Sequence, residues 1–109
     1  MASGIKKCKI TVIKRSINLD LIEKYVDDQY RDHMKVCEIF QDNQEFYLEE
    51  ETAFSQPPKD FCAWAWADIR KDIMTVALGC DMPGMNQRGM VIAGCTDWFR
   101  PVYFKIERI

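Results

Sequence analysis

The stretch from Cys62 to Cys80 constrains this chain more than any other. Cys62, Ala65, Trp66, Ile69, Ile73, Val76, Ala77 and Cys80 recur three or four residues apart, giving one broad apolar face over about five helical turns. Asp60 is placed to cap the start, and Gly79 to end the helix ahead of Pro83 and Gly84. Phe61, Trp64 and Met74 are apolar too but fall outside the stripe, so residues 61–78 carry more apolar surface than one face requires. Trp64 and Trp66 stand two residues apart, roughly 200° around a helix, and cannot share one core. One of them is expected to meet another layer, a pocket or a second subunit. Aromatic side chains concentrate in interface cores, and the surplus points to a homodimer.

The remaining segments supply strands. Cys8, Ile10 and Val12 alternate with Lys7, Lys9 and Thr11 in residues 5–15, a strand with one apolar and one basic face. Such charge is expected to guard a sheet edge. Asn18 opens a short amphipathic helix over 19–28. Residues 36–40 suggest a short strand and 45–49 another, followed by the acidic run Glu49-Glu50-Glu51 and a surface loop through Pro57-Pro58. The apolar run 90–95 reads as a strand buried on both faces. Val102, Phe104 and Ile106 alternate with Tyr103, Lys105 and Glu107, and the two runs pair as an antiparallel hairpin. Residues 79–89, with Gly79, Gly84, Gly89 and Pro83, form a loop. The sum is a single α+β domain over residues 5–109: a mainly antiparallel sheet of three to five strands, packed by one long and one short helix.

Two segments carry a resemblance. Phe61-Cys62-Ala63-Trp64-Ala65-Trp66 and Cys95-Thr96-Asp97-Trp98-Phe99-Arg100-Pro101-Val102-Tyr103-Phe104-Lys105-Ile106 resemble a family of small prokaryotic proteins without an assigned activity. That family shows a basic first strand, an F-C-x-W-A-W segment and a C-terminal C-x-D-G-x-R-P-V-x-F-x-I hairpin. The resemblance implies a fold, and a surface that tolerates self-packing, but no reaction. The chain departs from it at Trp98, where the pattern has Gly. Asp-Gly suits a tight hairpin turn, so Asp97-Trp98 implies a longer turn with a large aromatic at its tip.

Composition excludes several function classes. Fifteen Lys and Arg against seventeen Asp and Glu leave a net charge of −2, which opposes nucleic-acid binding even though Lys6, Lys7, Lys9, Lys14 and Arg15 crowd the first strand. No run approaches the ~18 apolar residues of a membrane span. The first residues lack the apolar stretch of a signal peptide, and the five cysteines are odd in number without a C-x-x-C pair. A cytoplasmic protein with free thiols is expected.

Chemistry has few candidates. Cys37, Cys62 and Cys95 could converge as a metal or redox site, with zinc or iron as the metal, whereas Cys62 and Cys80 lie about 27 Å apart along a continuous helix and cannot share an ion. His33 is the single histidine. Asp68 and Asp72 flank Lys71 as a surface charge cluster. Asp97 is placed to bond backbone N–H groups of its turn and to pair with Arg100. A small enzyme using these two beside the 79–89 loop is a further reading, but no phosphate-binding glycine motif or recognised catalytic constellation is present, and no residue can be assigned as catalytic. Trp64, Trp66, Trp98, Asp97 and Arg100 are the interface or pocket candidates. Two readings stand: a non-catalytic binding or interaction module that self-associates, or a cysteine-dependent metal or redox protein. No cofactor is favoured, and no small-molecule ligand can be named.

Overall fold

The alternating first and last segments of the chain pair with each other in the middle of one sheet. The structure, a computed structural model, describes residues 4–109. In chain order its elements are β1 (Cys8–Arg15), α1 (Leu19–Tyr25), α2 (Asp28–Arg31), β2 (Glu45–Leu48), a short 3-10 helix (Glu51–Phe54), α3 (Ala63–Ala77), β3 (Met90–Gly94) and β4 (Val102–Arg108). The strands form one antiparallel sheet ordered β2-β1-β4-β3. The α+β architecture and the β3–β4 hairpin are therefore as the sequence predicts.

Helix α3 covers one face of the sheet. Cys8, Ile10 and Val12 of β1, Val102, Phe104 and Ile106 of β4, and Phe46 and Leu48 of β2 meet Ala65, Trp66, Ile69, Ile73 and Val76 of the helix in one buried cluster. Phe61, just before α3, stacks on Phe104 and meets Phe40, Phe46 and Trp66 edge to face, with ring centroids 4.8 to 5.9 Å apart. Edge-to-face pairs satisfy the ring quadrupoles and add to the area they bury.

The other face stays open, which corrects two expectations. The basic face of β1 guards no edge, because β1 is central. Lys9 instead pairs with Glu45 of β2 and Glu107 of β4 at 3.3 and 3.4 Å, and Lys105 pairs with Glu107. The two carboxylates raise the Lys9 pKa, and the Glu45 hydrogen bond raises that of Tyr47. Likewise β3 is buried on both faces only at its start, at Met90 and Val91: it is an edge strand, and from Ile92, 49% exposed, its outer face is open. Nor is α3 apolar all round. Outside its buried stripe, Arg70, Lys71 and Ala67 face solvent, and only Trp64 and Leu78 remain as large exposed apolar groups on or next to the helix.

The strand β1 contains one irregularity of consequence. The register with β4 shifts between Val12 and Lys14, leaving Ile13 as an extra residue. Side chains alternate faces along a strand, so one inserted residue reverses the parity beyond it. Lys14 then lies with Tyr103 on the open face, its Nζ 5.6 Å from the ring centroid, and Arg15 lies beside Val102 on the helix side.

Helix boundaries moved for local reasons. Asp60 does not cap α3. It sits at φ +67 in a turn closed by the Phe61 N–H donating to the Pro58 carbonyl, and Cys62 takes the capping position. The first helix stops at Tyr25 because Val26 is extended and Asp27 caps α2, its Oδ1 accepting from the Gln29 N–H. Residues 36–40 form no strand: the carbonyls of Cys37 and Phe40 bond to the Arg15 side chain instead of a neighbouring strand. Gly79 ends α3 as expected, with φ +94, its N–H donating to Val76 O and that of Cys80 to Thr75 O.

The 79–89 loop is fastened rather than loose. Arg108 donates to the carbonyls of Val76 and Cys80, both at 2.9 Å, and to Asp81, whose Oδ1 also accepts from the Gly89 N–H. These bonds hold the Asp81 carboxyl below the usual aspartate range, the Arg108 bond contributing most. Gly89 has φ +69, and a Cβ there would stand 2.9 Å from the Arg108 guanidinium. Gly89→Ala is therefore expected to destabilise the fold by about 1–3 kcal/mol, through left-handed strain and displacement of Arg108. Urea unfolding measures it; a midpoint equal to that of the wild type would show that the clamp does not depend on this glycine.

Candidate functional site

The loops at the C-terminal end of β1 and the β3–β4 turn border an open cavity of about 990 Å3. Its walls come from four parts of the chain: residues 33–40, the start of α3, residues 95–100, and Val102. Each wall is held by polar contacts that the local sequence sets up.

The 33–40 wall has no ladder of its own and is tied down by Arg15. The guanidinium donates to the carbonyls of Cys37 and Phe40 at 2.8 and 3.0 Å and to Asp42 Oδ1 at 2.9 Å. The side-chain bond lowers the Asp42 pKa and raises that of Arg15. Phe40 is thereby delivered into contact with Phe61 and Phe104. His33 and the exposed Lys35–Glu38 pair, 3.8 Å apart, stand on the same wall.

The hairpin wall is a six-residue loop, 96–101, closed by the Cys95 N–H donating to Val102 O at 3.0 Å. It is longer than an Asp-Gly turn, as Trp98 implied. Asp97 Oδ1 accepts from the Phe99 and Arg100 N–H groups, each at 3.1 Å, and Oδ2 accepts from Arg100 Nε at 3.2 Å. The pair is consumed in shaping the turn. A second set of bonds ties the loop to α3. Thr96 donates through its N–H and hydroxyl to Asp68 Oδ2 at 2.8 and 3.0 Å, and Trp64 Nε1 donates to Thr96 Oγ1 at 3.1 Å. Asp68 is thus a structural anchor, while its neighbour Asp72 pairs with Lys71. The loop also reaches the start of α1: Asn18, which does not cap its helix through its side chain, donates from Nδ2 to Trp98 O at 2.6 Å.

Cys37, Cys62 and Cys95 all line this cavity, with Trp64, Trp98, Asp97 and Arg100. The segments carrying the family resemblance, far apart in sequence, meet across it. Trp64 is 70% exposed and Trp98 67%, whereas Trp66 is 6% exposed and belongs to the core, not to an interface or pocket. The 200° separation of the two helix tryptophans sorts them in this way. The 79–89 loop is not beside Asp97 and Arg100. Gly89 pairs with Arg108 at the opposite end of the hairpin, so the loop and the Asp97–Arg100 pair do not form one site.

All five cysteines are unpaired. Among the described residues, no three His, Cys, Asp or Glu side chains are grouped closely enough to hold a metal ion. Cys95 Sγ accepts from the Val102 N–H at 3.3 Å. Cys8 lies in the core, where burial pushes its thiol up to about 11. Cys80 is exposed. Sequence reasoning missed the roles of Arg15, Asp68 and Thr96, which depend on partners 22 to 32 residues away.

The thiols should react in a fixed order, since accessibility and thiolate fraction both govern the rate. With a thiol-reactive disulfide reagent at neutral pH, Cys80 is expected to react first, Cys37, Cys62 and Cys95 more slowly, and Cys8 only on unfolding; rapid modification of Cys8 in the native protein would contradict the burial described. A second expectation follows from Asp42. Its depressed folded-state pKa contributes stability that is present above the unfolded-state value, about 4, and lost as pH falls through the lower folded-state value. Asp42→Asn should accordingly lose less stability than the wild type on acidification below about pH 4. Superimposable acid-unfolding profiles would contradict it.

No family model, curated protein or solved structure matches the chain, so the cavity's own geometry is the ground for a functional reading.

Proposed function

We propose that this chain is a non-catalytic binding module that self-associates, and that the cavity between Trp64 and Trp98 is its ligand site. One observation carries the binding reading: two largely exposed tryptophans flank a cavity of about 990 Å3 whose walls present Val36, Ile39, Phe40, Ala65 and Phe99 beside His33, Thr96, three thiols and two ion pairs. Organic ligands occupy cavities of this size, walled mostly by apolar and aromatic groups with a few polar ones. The acidic and basic side chains on the walls are paired with each other, Asp97 with Arg100 and Glu38 with Lys35. A neutral, flat, largely apolar molecule therefore fits better than an anion or a cation.

Membership of the small prokaryotic family is part of the proposal, supported by the meeting of both motif segments at this cavity. Five unpaired thiols suit a reducing compartment, and we place the protein in the cytoplasm. No helix of the described residues is long and apolar enough to cross a membrane, and the near-balanced charge argues against nucleic acid as partner.

A second reading, cysteine-dependent chemistry, rests on the three thiols that line one cavity, although they are not grouped closely enough to hold a metal ion together. Metal analysis and thiol titration of anaerobically purified protein decide it: five ordinary thiols without bound metal would remove it. For the binding reading the probe is the neutral fluorophore N-phenyl-1-naphthylamine. Saturable binding at one site per chain is expected, with quenching of tryptophan emission. Trp64→Ala and Trp98→Ala are each expected to weaken it by about tenfold, the loss of one aromatic wall. Absence of saturable binding, or binding indifferent to both substitutions, would overturn the assignment.

A further inference from the structure

We infer that self-association runs through the free edge of β3, where a second copy of this chain adds its own β3 antiparallel and the two sheets become continuous. The inference rests on the self-association reading and names its surface.

The backbone of β3 carries the argument. Gly89 O accepts from the Arg108 N–H at 2.8 Å and the Cys95 N–H donates to Val102 O at 3.0 Å, so both ends of the hairpin are bonded pairs. Between them the register runs without a shift from Met90 opposite Glu107 to Gly94 opposite Tyr103. In an antiparallel ladder bonded and non-bonded pairs alternate. Val91 and Ala93 therefore bond to β4, while Met90, Ile92 and Gly94 direct their N–H and C=O groups away from the sheet. No turn or loop backbone among the described residues takes up these groups.

Sheet edges are ordinarily blunted by charge, proline, a bulge or a covering element. The other edge follows that rule. On β2, Glu45 and Tyr47 face outward by the same alternation, and Glu49, Glu50 and Glu51 follow directly, so two copies meeting there would oppose like charges. The sequence of β3, Met-Val-Ile-Ala-Gly, has no charge and no proline, and its ladder has no bulge. Ile92 at its centre is 49% exposed.

The outward pattern is also self-complementary. With a two-fold axis at Ile92, the Ile92 residues of the two copies face each other and each Met90 faces the other copy's Gly94. Every outward N–H and C=O from Met90 to Gly94 then has a partner, and the two exposed isoleucines pack side by side. An isologous contact of this kind closes at two subunits, as a homodimer requires.

Sedimentation equilibrium of the wild type, Ile92→Lys and Ile13→Lys tests the inference. Ile13 is likewise exposed but lies on β1, away from the edge. The expected result is a wild-type dimer, with Ile92→Lys raising the dissociation constant at least about tenfold and Ile13→Lys leaving it unchanged. Circular dichroism confirms that the variants are folded. Hydrogen exchange gives a second readout that needs no variant: the amides of Met90, Ile92 and Gly94 should exchange more slowly at dimer concentrations than on dilution. A dimer that survives Ile92→Lys and leaves these amides unprotected would overturn the β3 edge while sparing self-association; a wild type monomeric at micromolar concentration would overturn both.

Discussion

The extra residue at Ile13 decides what the loop end of this sheet can build. Were β1 regular, Lys14 would point to the helix side and Arg15 to the open face. The shift reverses them and brings a planar, five-donor guanidinium beside Val102. There it meets a segment with no strand neighbour, whose carbonyls would otherwise need water. By bonding Cys37, Phe40 and Asp42 at once, Arg15 ties down a wall that has no ladder. The phenyl ring of Phe40 then reaches the aromatic cluster, and the space left between that wall, α3 and the hairpin loop is the cavity.

A four-stranded sheet with one helical layer must leave a face bare, and the composition of that face determines what it can bind. Here Lys9, Glu45, Lys105 and Glu107 cover its centre with paired charges. Solvent-accessible pairs of this kind contribute little stability. Their larger effect is to keep the face hydrated and unattractive to another apolar surface. The apolar surplus in the composition is left at the tryptophans of the cavity, on the uncharged edge strand, and at scattered exposed side chains such as Leu19, Tyr25, Tyr30 and Leu78. The long helix, the obvious place to look for it in the sequence, spends its apolar residues on the core.

Elements whose signal is periodic were legible in the sequence. Alternation in β1 and β4 and the 3.6-residue repeat of α3 report burial directly, and these segments lie within a few residues of where the sequence puts them. The Trp64–Trp66 spacing was enough to foresee that one ring leaves the core. The candidate residues Cys37, Cys62, Cys95, Asp97 and Arg100 do share a cavity. Strand order was not legible, because alternation tells which side is buried and not which neighbour is bonded; hence a central strand was read as an edge from its lysines. The bulge at Ile13 and the anchors Arg15 and Asp68 left no local trace either. Each acts on a backbone group or hydroxyl distant in sequence, and nothing in the flanking residues distinguishes such a side chain from a solvated one.

The location of the cavity follows from the same division of labour. Apolar packing dominates where α3 lies along β1 and β4, and small changes there propagate through a close-packed core. At the loop end, discrete polar ties do the holding: Arg15 to Cys37 and Phe40, Asp68 to Thr96, Thr96 to Trp64, Asp97 to Arg100. Ties of this sort fix the backbone while leaving Trp64 and Trp98 exposed to whatever enters. Because the walls come from separate stretches of chain, the cavity exists only in the folded state, and any molecule that occupies it must stabilise the whole domain by mass action, by about 2.7 kcal/mol at one hundred times its dissociation constant. A site on a single loop would instead stiffen only that loop. In this chain the cavity and the fold depend on the same few polar contacts, set beside the aromatic cluster of Phe40, Phe61 and Phe104.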